Sequence, residues 1–172
     1  MKNILQRHDS MRGWFAYELY QHMKKNKDIW LIVGDLGYKV FDKHREDFPD
    51  RFYNCGASEQ AMMGIAVGLA LEDKIPIVYS ISTFLLYRPF ETIRNYINHE
   101  KIPVKMVGSG RDKDYAHDGI SHWPMDDKKL FGSKKMFENI QPGWPEYKED
   151  IPLIVKMMLT HKKPYYINLT RK

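Results

Sequence analysis

The chain has 172 residues, of which 43% are hydrophobic, and a formal net charge of +5. That length suffices for one buried core and is too short for two ordinary domains, so we expect a single domain over residues 1–172. There is one cysteine, no apolar run approaches the ~20 residues that span a bilayer, and much of the excess Lys and Arg lies in scattered doublets. We therefore expect a cytoplasmic protein without a disulfide framework, a membrane partner or a nucleic-acid partner. An anionic small molecule or an acidic partner subunit fits the charge.

Apolar runs of strand length alternate with patterns of helix length along the chain. In chain order we predict a helix over 11–25, strands over 29–33 and 51–54, a helix over 58–71, a strand over 75–80, a helix over 84–99, strands over 104–107 and 136–140, a helix over 147–161 and a strand over 165–169. Ser10, Ser58 and Thr83 are the predicted N-caps. Strands separated by helices indicate an α/β fold with a doubly wound, mainly parallel six-stranded sheet that has helices on both faces.

Sheets of this type bind ligands beyond the carboxyl ends of their strands. The predicted segments that follow those ends are 34–50, 55–59, 82–90 and 108–123. The irregular stretch 108–127 is rich in Asp, His and Gly, and it is too long for a simple connector. We expect functional side chains in these four segments.

One carboxylate stands at the start of an otherwise apolar helix. Glu59 opens the predicted helix 58–71, in which Ala57, Ala61, Gly64 and Gly68 recur at helical spacing and form a ridge that lets another helix or a ligand approach. A buried, unpaired carboxylate has a raised pKa and can share a proton with a ligand nitrogen. The same pattern also suits an ordinary acidic residue in the first turn of a helix.

Two further groups of side chains are candidates for a binding site. Phe84, Tyr87 and Phe90 are three residues apart and could form an aromatic shelf for a flat heterocycle, although aromatic residues at this spacing are also typical of a core. The HDGISH segment at 117–122 offers His and Asp side chains that suit a polyhydroxylated substrate and proton transfer. Its spacing matches no recognised ligand set, so we expect no metal site in this chain.

Five motifs in order resemble the pyrimidine-binding domain of the transketolase family, the central domain of enzymes that use thiamine diphosphate. They are GDL at 34–36, CGASEQAMMGIAVGLAL at 55–71, STFLLYRPFETIRN at 82–95, IPVKMVGSG at 102–110 and HDGISH at 117–122. Each motif alone is weak, but their order and spacing are specific. The likeness extends to the closing YYINLTRK and implies the thiamine-diphosphate-binding fold.

The resemblance implies a role for individual residues. Glu59 matches the glutamate that hydrogen-bonds the aminopyrimidine ring of the cofactor and activates it, and His122 matches a catalytic histidine on the substrate side. The implied cofactor-binding residues are Asp35, Leu36, Glu59, Phe84, Tyr87 and Phe90, and the implied substrate-binding residues are Arg12, Asp118 and His122.

The sequence also departs from the family pattern. The GDG…N signature that binds magnesium and the diphosphate is absent from these residues, and Ile120 and Ser121 replace the usual Pro-Thr. Gln141 and Gly110 stand where a phosphate-contacting arginine and histidine are expected. The substrate is therefore expected to be a sugar whose phosphate is bound differently, or a sugar without a phosphate.

Together these features predict the pyrimidine-binding subunit of a split, transketolase-like enzyme that transfers a two-carbon ketol unit between sugars. Magnesium would be bound mainly by a separate diphosphate-binding subunit, and the two kinds of subunit would form a heterotetramer. The alternatives are a subunit of a 2-oxoacid decarboxylase or dehydrogenase, and a non-catalytic module that has kept the fold.

Overall fold

A computed structural model describes residues 7–171. Residues 1–6 and 172 of the predicted domain lie outside the described residues. Within the described range the strands are β1 (Ile29–Val33), β2 (Phe52–Asn54), β3 (Ile75–Ile81), β4 (Lys105–Ser109), β5 (Gln141–Gly143) and β6 (Tyr165–Leu169). They form one sheet in the order β2-β1-β3-β4-β6-β5, and each neighbouring pair is parallel. The predicted α/β sheet is confirmed, and it is wholly parallel.

The helices cover both faces of this sheet. They are α1 (Met11–Lys25), α2 (Asp42–Asp47), α3 (Glu59–Leu71), α4 (Ser82–Tyr87), α5 (Phe90–Thr92), α6 (Asp127–Leu130) and α7 (Ile151–Thr160), with a π-helix at Ile93–His99 after α5. Among the residues that the structure describes, no helix is long and apolar enough to cross a membrane.

Alternation along the strands divides the interior into two cores. Leu31 and Val33 of β1 join the core under α1 and α7, whereas Ile32 between them joins the core under α3 and α4. Strand β3 repeats the pattern, with Tyr79 on the first side and Val78 on the second. Because successive side chains of a strand point to opposite faces, a sheet covered on both sides requires apolar residues at every position.

The helix starts agree with the predictions in part. The Ser10 hydroxyl accepts a hydrogen bond from the Gly13 amide at 3.1 Å and caps α1. Ser58 stands at the N-cap of α3, but its side chain makes no cap bond. The predicted cap at Thr83 is wrong, because Thr83 lies inside α4 and its hydroxyl donates instead to the Ser121 carbonyl at 2.7 Å.

Two of the predicted helices differ in extent from the observed elements. The single helix predicted over 84–99 is divided, because Pro89 cannot donate to the helical ladder, so α4 ends at Tyr87 and the chain resumes as α5 and the π-helix. The helix predicted over 147–161 is a 3₁₀ turn at Lys148–Asp150 followed by α7. The segment 34–50, for which the sequence predicts no helix or strand, contains α2.

The strand predicted over 136–140 is wrong, since the strand at that edge is β5, immediately after it. Residues 132–140 run as turns that bring Phe137 and Ile140 into the second core, and Phe137 packs on Phe131 with ring centroids 5.3 Å apart. Pro142 is tolerated in β5 because this is an edge strand.

The ridge of small residues on α3 faces outward. Ala61, Gly64 and Gly68 are exposed, and Ile65 and Leu71 beside them are 39% and 67% exposed. Apart from the neighbouring backbone of α3 itself, no described atom lies within 4 Å of the position that a Cβ would take at Gly64 or Gly68. The close approach expected of this ridge is therefore not made within the described chain.

Candidate active site

The candidate site lies where the sheet reverses direction. The chain passes from β1 outward to β2 and then returns to β3 on the other side of β1, so the carboxyl ends of β1 and β3 border a crevice. Gly34 follows β1, Ser80 lies near the end of β3, and Glu59 begins α3 above them. Two of the motifs singled out in the sequence, at 34–36 and 55–71, thus meet at the end of β3 because of the strand order.

Glu59 is almost completely buried in this crevice, with 2% of its surface exposed. Its Oε1 accepts a hydrogen bond from the Ser80 hydroxyl at 3.3 Å. A Cβ at Gly34 would lie 3.4 Å from the same oxygen and 3.3 Å from the Ser80 Oγ. The glycine of the GDL motif therefore packs directly against both Glu59 and Ser80.

The second carboxylate oxygen of Glu59 is paired with Arg88. Arg88 Nη1 lies 2.7 Å from Glu59 Oε2, and the Arg88 side chain is 45% exposed. The guanidinium carbon also lies 3.7 Å from the centroid of the Phe84 ring, which is the geometry of a cation–π contact. A buried carboxylate without a cation would be strongly destabilising, so Arg88 provides the counter-charge that Glu59 needs there.

His122 joins the same group of side chains through Phe84. The two rings meet edge to face with centroids 4.8 Å apart, and Tyr115 lies 6.1 Å from the histidine ring on another side. The Ser121 hydroxyl lies 2.9 Å from His122 Nδ1 and restrains the imidazole, leaving Nε2 as its other polar atom. Glu59, Arg88, Phe84 and His122 therefore form a continuous series of contacts along the carboxyl edge of the sheet.

The other two predicted aromatic residues have different neighbours. The Tyr87 hydroxyl donates to Asp126 at 2.5 Å, and burial together with this hydrogen bond raises the pKa of Tyr87. Phe90, beyond the break at Pro89, packs against Phe137 of the second core with centroids 5.4 Å apart. The three aromatic side chains thus have different neighbours, and the roles of Tyr87 and Phe90 in cofactor binding stay predictions.

Asp35 and Leu36 follow β1 beside the end of β2. The Asp35 amide donates to Asn54 Oδ1 at 3.0 Å, and the Tyr38 hydroxyl donates to Asp35 Oδ1 at 2.6 Å. Hydrogen bonds from Tyr38 and Asn54 lower the pKa of Asp35. Leu36 packs against the first core. Their role beside a cofactor stays a prediction.

The predicted substrate residues are not all brought together. Arg12 lies beside the buried hydroxyl of Tyr79, whose pKa burial raises while Ser109 and Arg12 act against the increase. Asp118 pairs with the neighbouring His117 at 3.1 Å and is partly exposed. Across residues 7–171 no group of three or more His, Cys, Asp or Glu side chains could hold a metal ion.

A buried carboxylate anchors the segment that carries His122. Asp127, at 3% exposure, begins α6, and its Oδ2 accepts three side-chain hydrogen bonds. The donors are Trp144 Nε1 at 2.9 Å, the Tyr166 hydroxyl at 2.9 Å and Asn168 Nδ2 at 2.7 Å. Ser82 of α4 donates to Asn168 Oδ1 at 3.1 Å, so the segment and α4 are bound to the same side chain of β6.

Sequence reasoning assigned no role to Arg88 or Asp127. Arg88 is four residues after Phe84, a spacing that places both on one face of a helix, so this signal was present. Asp127 is one of two adjacent aspartates, and nothing in the sequence distinguishes the buried Asp127 from the exposed Asp126. Its partners lie on distant strands and turns.

Comparisons with known proteins identify the family and the fold of the chain. The family described as "Transketolase, pyrimidine binding domain" matches residues 9–172. The chain is 29% identical over 163 residues to a "Putative transketolase C-terminal section" of Methanocaldococcus jannaschii, covering 94% of this chain and 51% of the relative. It is 30% identical over 127 residues to a subunit of the apulose-4-phosphate transketolase of Actinobacillus succinogenes, covering 74% of this chain and 40% of the relative.

A solved structure described as "Split gene transketolase, inactive beta4 tetramer" superposes with a TM-score of 0.81 at 29% identity, covering 95% of this chain and 52% of that one. The chain thus spans about half the length of the first relatives that it matches. The match to the family covers nearly all of the sequence and includes the segments that meet around Glu59. The chain belongs to the transketolase pyrimidine-binding domain family.

Proposed function

We propose that this chain is the pyrimidine-binding half of a split transketolase-like enzyme that transfers a two-carbon ketol unit between sugars with thiamine diphosphate. The observation that carries the proposal is the buried Glu59 carboxylate at the reversal of the sheet, connected through Arg88 and Phe84 to His122. A carboxylate, an aromatic face and an imidazole in contact are the groups needed to bind a flat amine and to move a proton on a substrate beside it.

The residues present fit the aminopyrimidine half of that cofactor. Glu59 Oε2 faces Arg88 at the more exposed side of the site, so a ring nitrogen could take the place of the guanidinium there. Phe84 is only partly buried and offers a ring face next to the carboxylate. When bound, thiamine diphosphate supplies the nucleophilic carbon that adds to the ketose.

The contribution of the chain itself is to bind, orient and transfer protons. Glu59, which accepts a hydrogen bond from Ser80, would share a proton with a ring nitrogen and so set the protonation of the aminopyrimidine. His122, held by Ser121 and Phe84, presents Nε2 to the substrate, where it accepts or donates a proton at a hydroxyl or carbonyl oxygen. Asp118 and Arg12 would contact the substrate farther along the same edge.

We infer that a separate chain binds the diphosphate and magnesium and that the two chains assemble as a heterotetramer. The names of two relatives, one a C-terminal section and the other a transketolase subunit, support a division of such enzymes between chains. The outward-facing small residues and apolar side chains of α3 also fit a surface that another chain covers. A sugar or sugar phosphate is the proposed substrate, in the cytoplasm.

The test is Glu59→Gln in the enzyme reconstituted with a GDG-containing partner chain, thiamine diphosphate and magnesium. Because an amide cannot share the proton in the same way, we expect kcat/KM for a ketose donor to fall by about 100-fold or more with an unchanged circular dichroism spectrum. Glu72→Gln, at the exposed far end of α3, is the matched control and should keep wild-type activity. Retention of most activity by Glu59→Gln would refute the assignment.

A further inference from the structure

We propose that Arg88 is a displaceable cover of the pyrimidine site. In the free chain its guanidinium occupies both the Glu59 carboxylate and the face of Phe84, and it leaves both when an aromatic amine ring binds. This inference rests on the proposed function, since it concerns the same site. Its geometric basis is that one side chain contacts both groups assigned to the ring, at 2.7 Å from Glu59 Oε2 and 3.7 Å from the Phe84 centroid.

The chemistry of the guanidinium explains why it suits this position. Like an aminopyrimidine, it is flat, donates N–H hydrogen bonds to a carboxylate and stacks on an aromatic ring. Ser80 donates to one oxygen of Glu59, and the other oxygen faces the half-exposed Arg88 side chain, which is the side from which a ring nitrogen can approach the carboxylate. Arg88 and the ring therefore compete for one place.

Glu59 and Arg88 are buried to different extents, and this difference decides which of the two side chains moves. Glu59 is 2% exposed and accepts a hydrogen bond from Ser80, whereas the Arg88 side chain is 45% exposed. Within residues 7–171, the guanidinium of Arg88 has no second carboxylate within 4.0 Å. Turning outward returns the cation to water at the edge where it already contacts solvent, while Glu59 stays in place.

Such a cover has a measurable cost and a benefit. The benefit is that Glu59 keeps a counter-charge while no ligand is bound. The cost is that a ligand binds only the fraction of molecules in which Arg88 has turned away, so its apparent affinity is lower by that fraction. Removing the guanidinium should therefore strengthen binding of the ring.

The experiment titrates the full chain with 4-amino-2-methylpyrimidine, which lacks the diphosphate, and follows amide shifts near Glu59 and Phe84 by NMR. We expect Arg88→Met to bind about tenfold more tightly than the wild type, equivalent to about 1.4 kcal/mol. Arg94→Met removes an exposed arginine of the π-helix Ile93–His99 and should bind as the wild type does. Glu59→Gln should weaken binding, which tests the site independently of the cover.

The outcomes separate the two proposals. If Arg88→Met binds no more tightly than the wild type while Glu59→Gln binds more weakly, the cover is refuted and the site stands. If Glu59→Gln keeps wild-type affinity, the site assignment fails and the cover fails with it. If Arg88→Met does not fold, the displacement is tested instead in the wild type, by following the Arg88 Nε–H resonance during the titration. A shift toward its solvent-exposed position on saturation supports displacement, and an unchanged resonance overturns it.

Discussion

His44 makes the stability of the fold depend on pH. It lies in α2 with no exposed surface, surrounded by the rings of Tyr20, Phe41 and Phe48 at centroid distances of 5.4, 5.1 and 6.4 Å. Burial lowers the pKa of His44 from 6.5 to about 4, against the opposing effects of the Ala16 backbone and Asp47. The folded chain therefore keeps His44 neutral at pH values at which the unfolded chain protonates it.

The sign and size of the effect follow from this difference. Between pH 6.5 and pH 4 the unfolded state binds one more proton than the folded state, so the free energy of unfolding falls as the pH falls. At 1.36 kcal/mol per pH unit, the full penalty is about 3.4 kcal/mol below pH 4. Between pH 7 and pH 5 the wild type should lose about 2 kcal/mol through His44 alone.

The assay is urea unfolding at pH 7 and pH 5, with His44→Leu compared with the wild type at one ionic strength and protein concentration. Leucine has a similar volume and no titratable group, so the variant should lose about 2 kcal/mol less than the wild type over this range. The comparison concerns the pH difference and is insensitive to any constant packing cost. His99→Leu, with a side chain that is 80% exposed, controls for loss of a histidine. Equal losses in His44→Leu and the wild type would refute the reasoning.

Three further results are expected. Burial lowers the pKa of Lys105 to about 8, so above that pH the unfolded chain binds more protons than the folded chain. Between pH 7.5 and pH 9.5 the free energy of unfolding of the wild type should therefore rise by about 2 kcal/mol more than that of Lys105→Met. Equal increases in urea unfolding would contradict this. Asp127→Asn places an amide among three hydrogen-bond donors and should lower the free energy of unfolding, measured in urea, by about 1–3 kcal/mol. An unchanged midpoint would show that these hydrogen bonds contribute little to stability. His122→Ala should lower donor turnover in the reconstituted enzyme far more than cofactor affinity, whereas equal losses would place His122 in a structural or cofactor role.

The fold could be predicted from the sequence where local pattern and burial agree. The strands predicted at 29–33 and 165–169 are apolar runs buried in the sheet, and they have the predicted bounds. The edge strand β5 could not be predicted, because Gln141, Pro142 and Gly143 have low strand propensity and pair only because β6 lies beside them. Phe137 and Ile140 instead gave the preceding turns an apolar, strand-like pattern.

The candidate site was predictable as a set of motifs but not as a set of contacts. The family resemblance identifies Glu59 and His122. Arg88 and Phe84 connect these two side chains, and their relative placement follows from where Pro89 ends α4. The separation of Phe90 from Phe84 has the same origin, because residues three apart keep one face only while the helix continues. A local break in the backbone is decided by tertiary packing as well as by proline.

The wholly parallel sheet also has a consequence for folding kinetics. Parallel neighbours cannot be joined by a tight hairpin, so each pairing closes a long loop of chain. Ile29 of β1 pairs with Ile75 of β3, and Lys105 of β4 pairs with Tyr165 of β6. Closing such loops costs entropy before contacts compensate for it, so we expect folding to be slower than in a domain built from local contacts. Since Asn168 of β6 binds both Ser82 and Asp127, we also expect the segment that carries His122 to become ordered only once the carboxyl-terminal strand has joined the sheet.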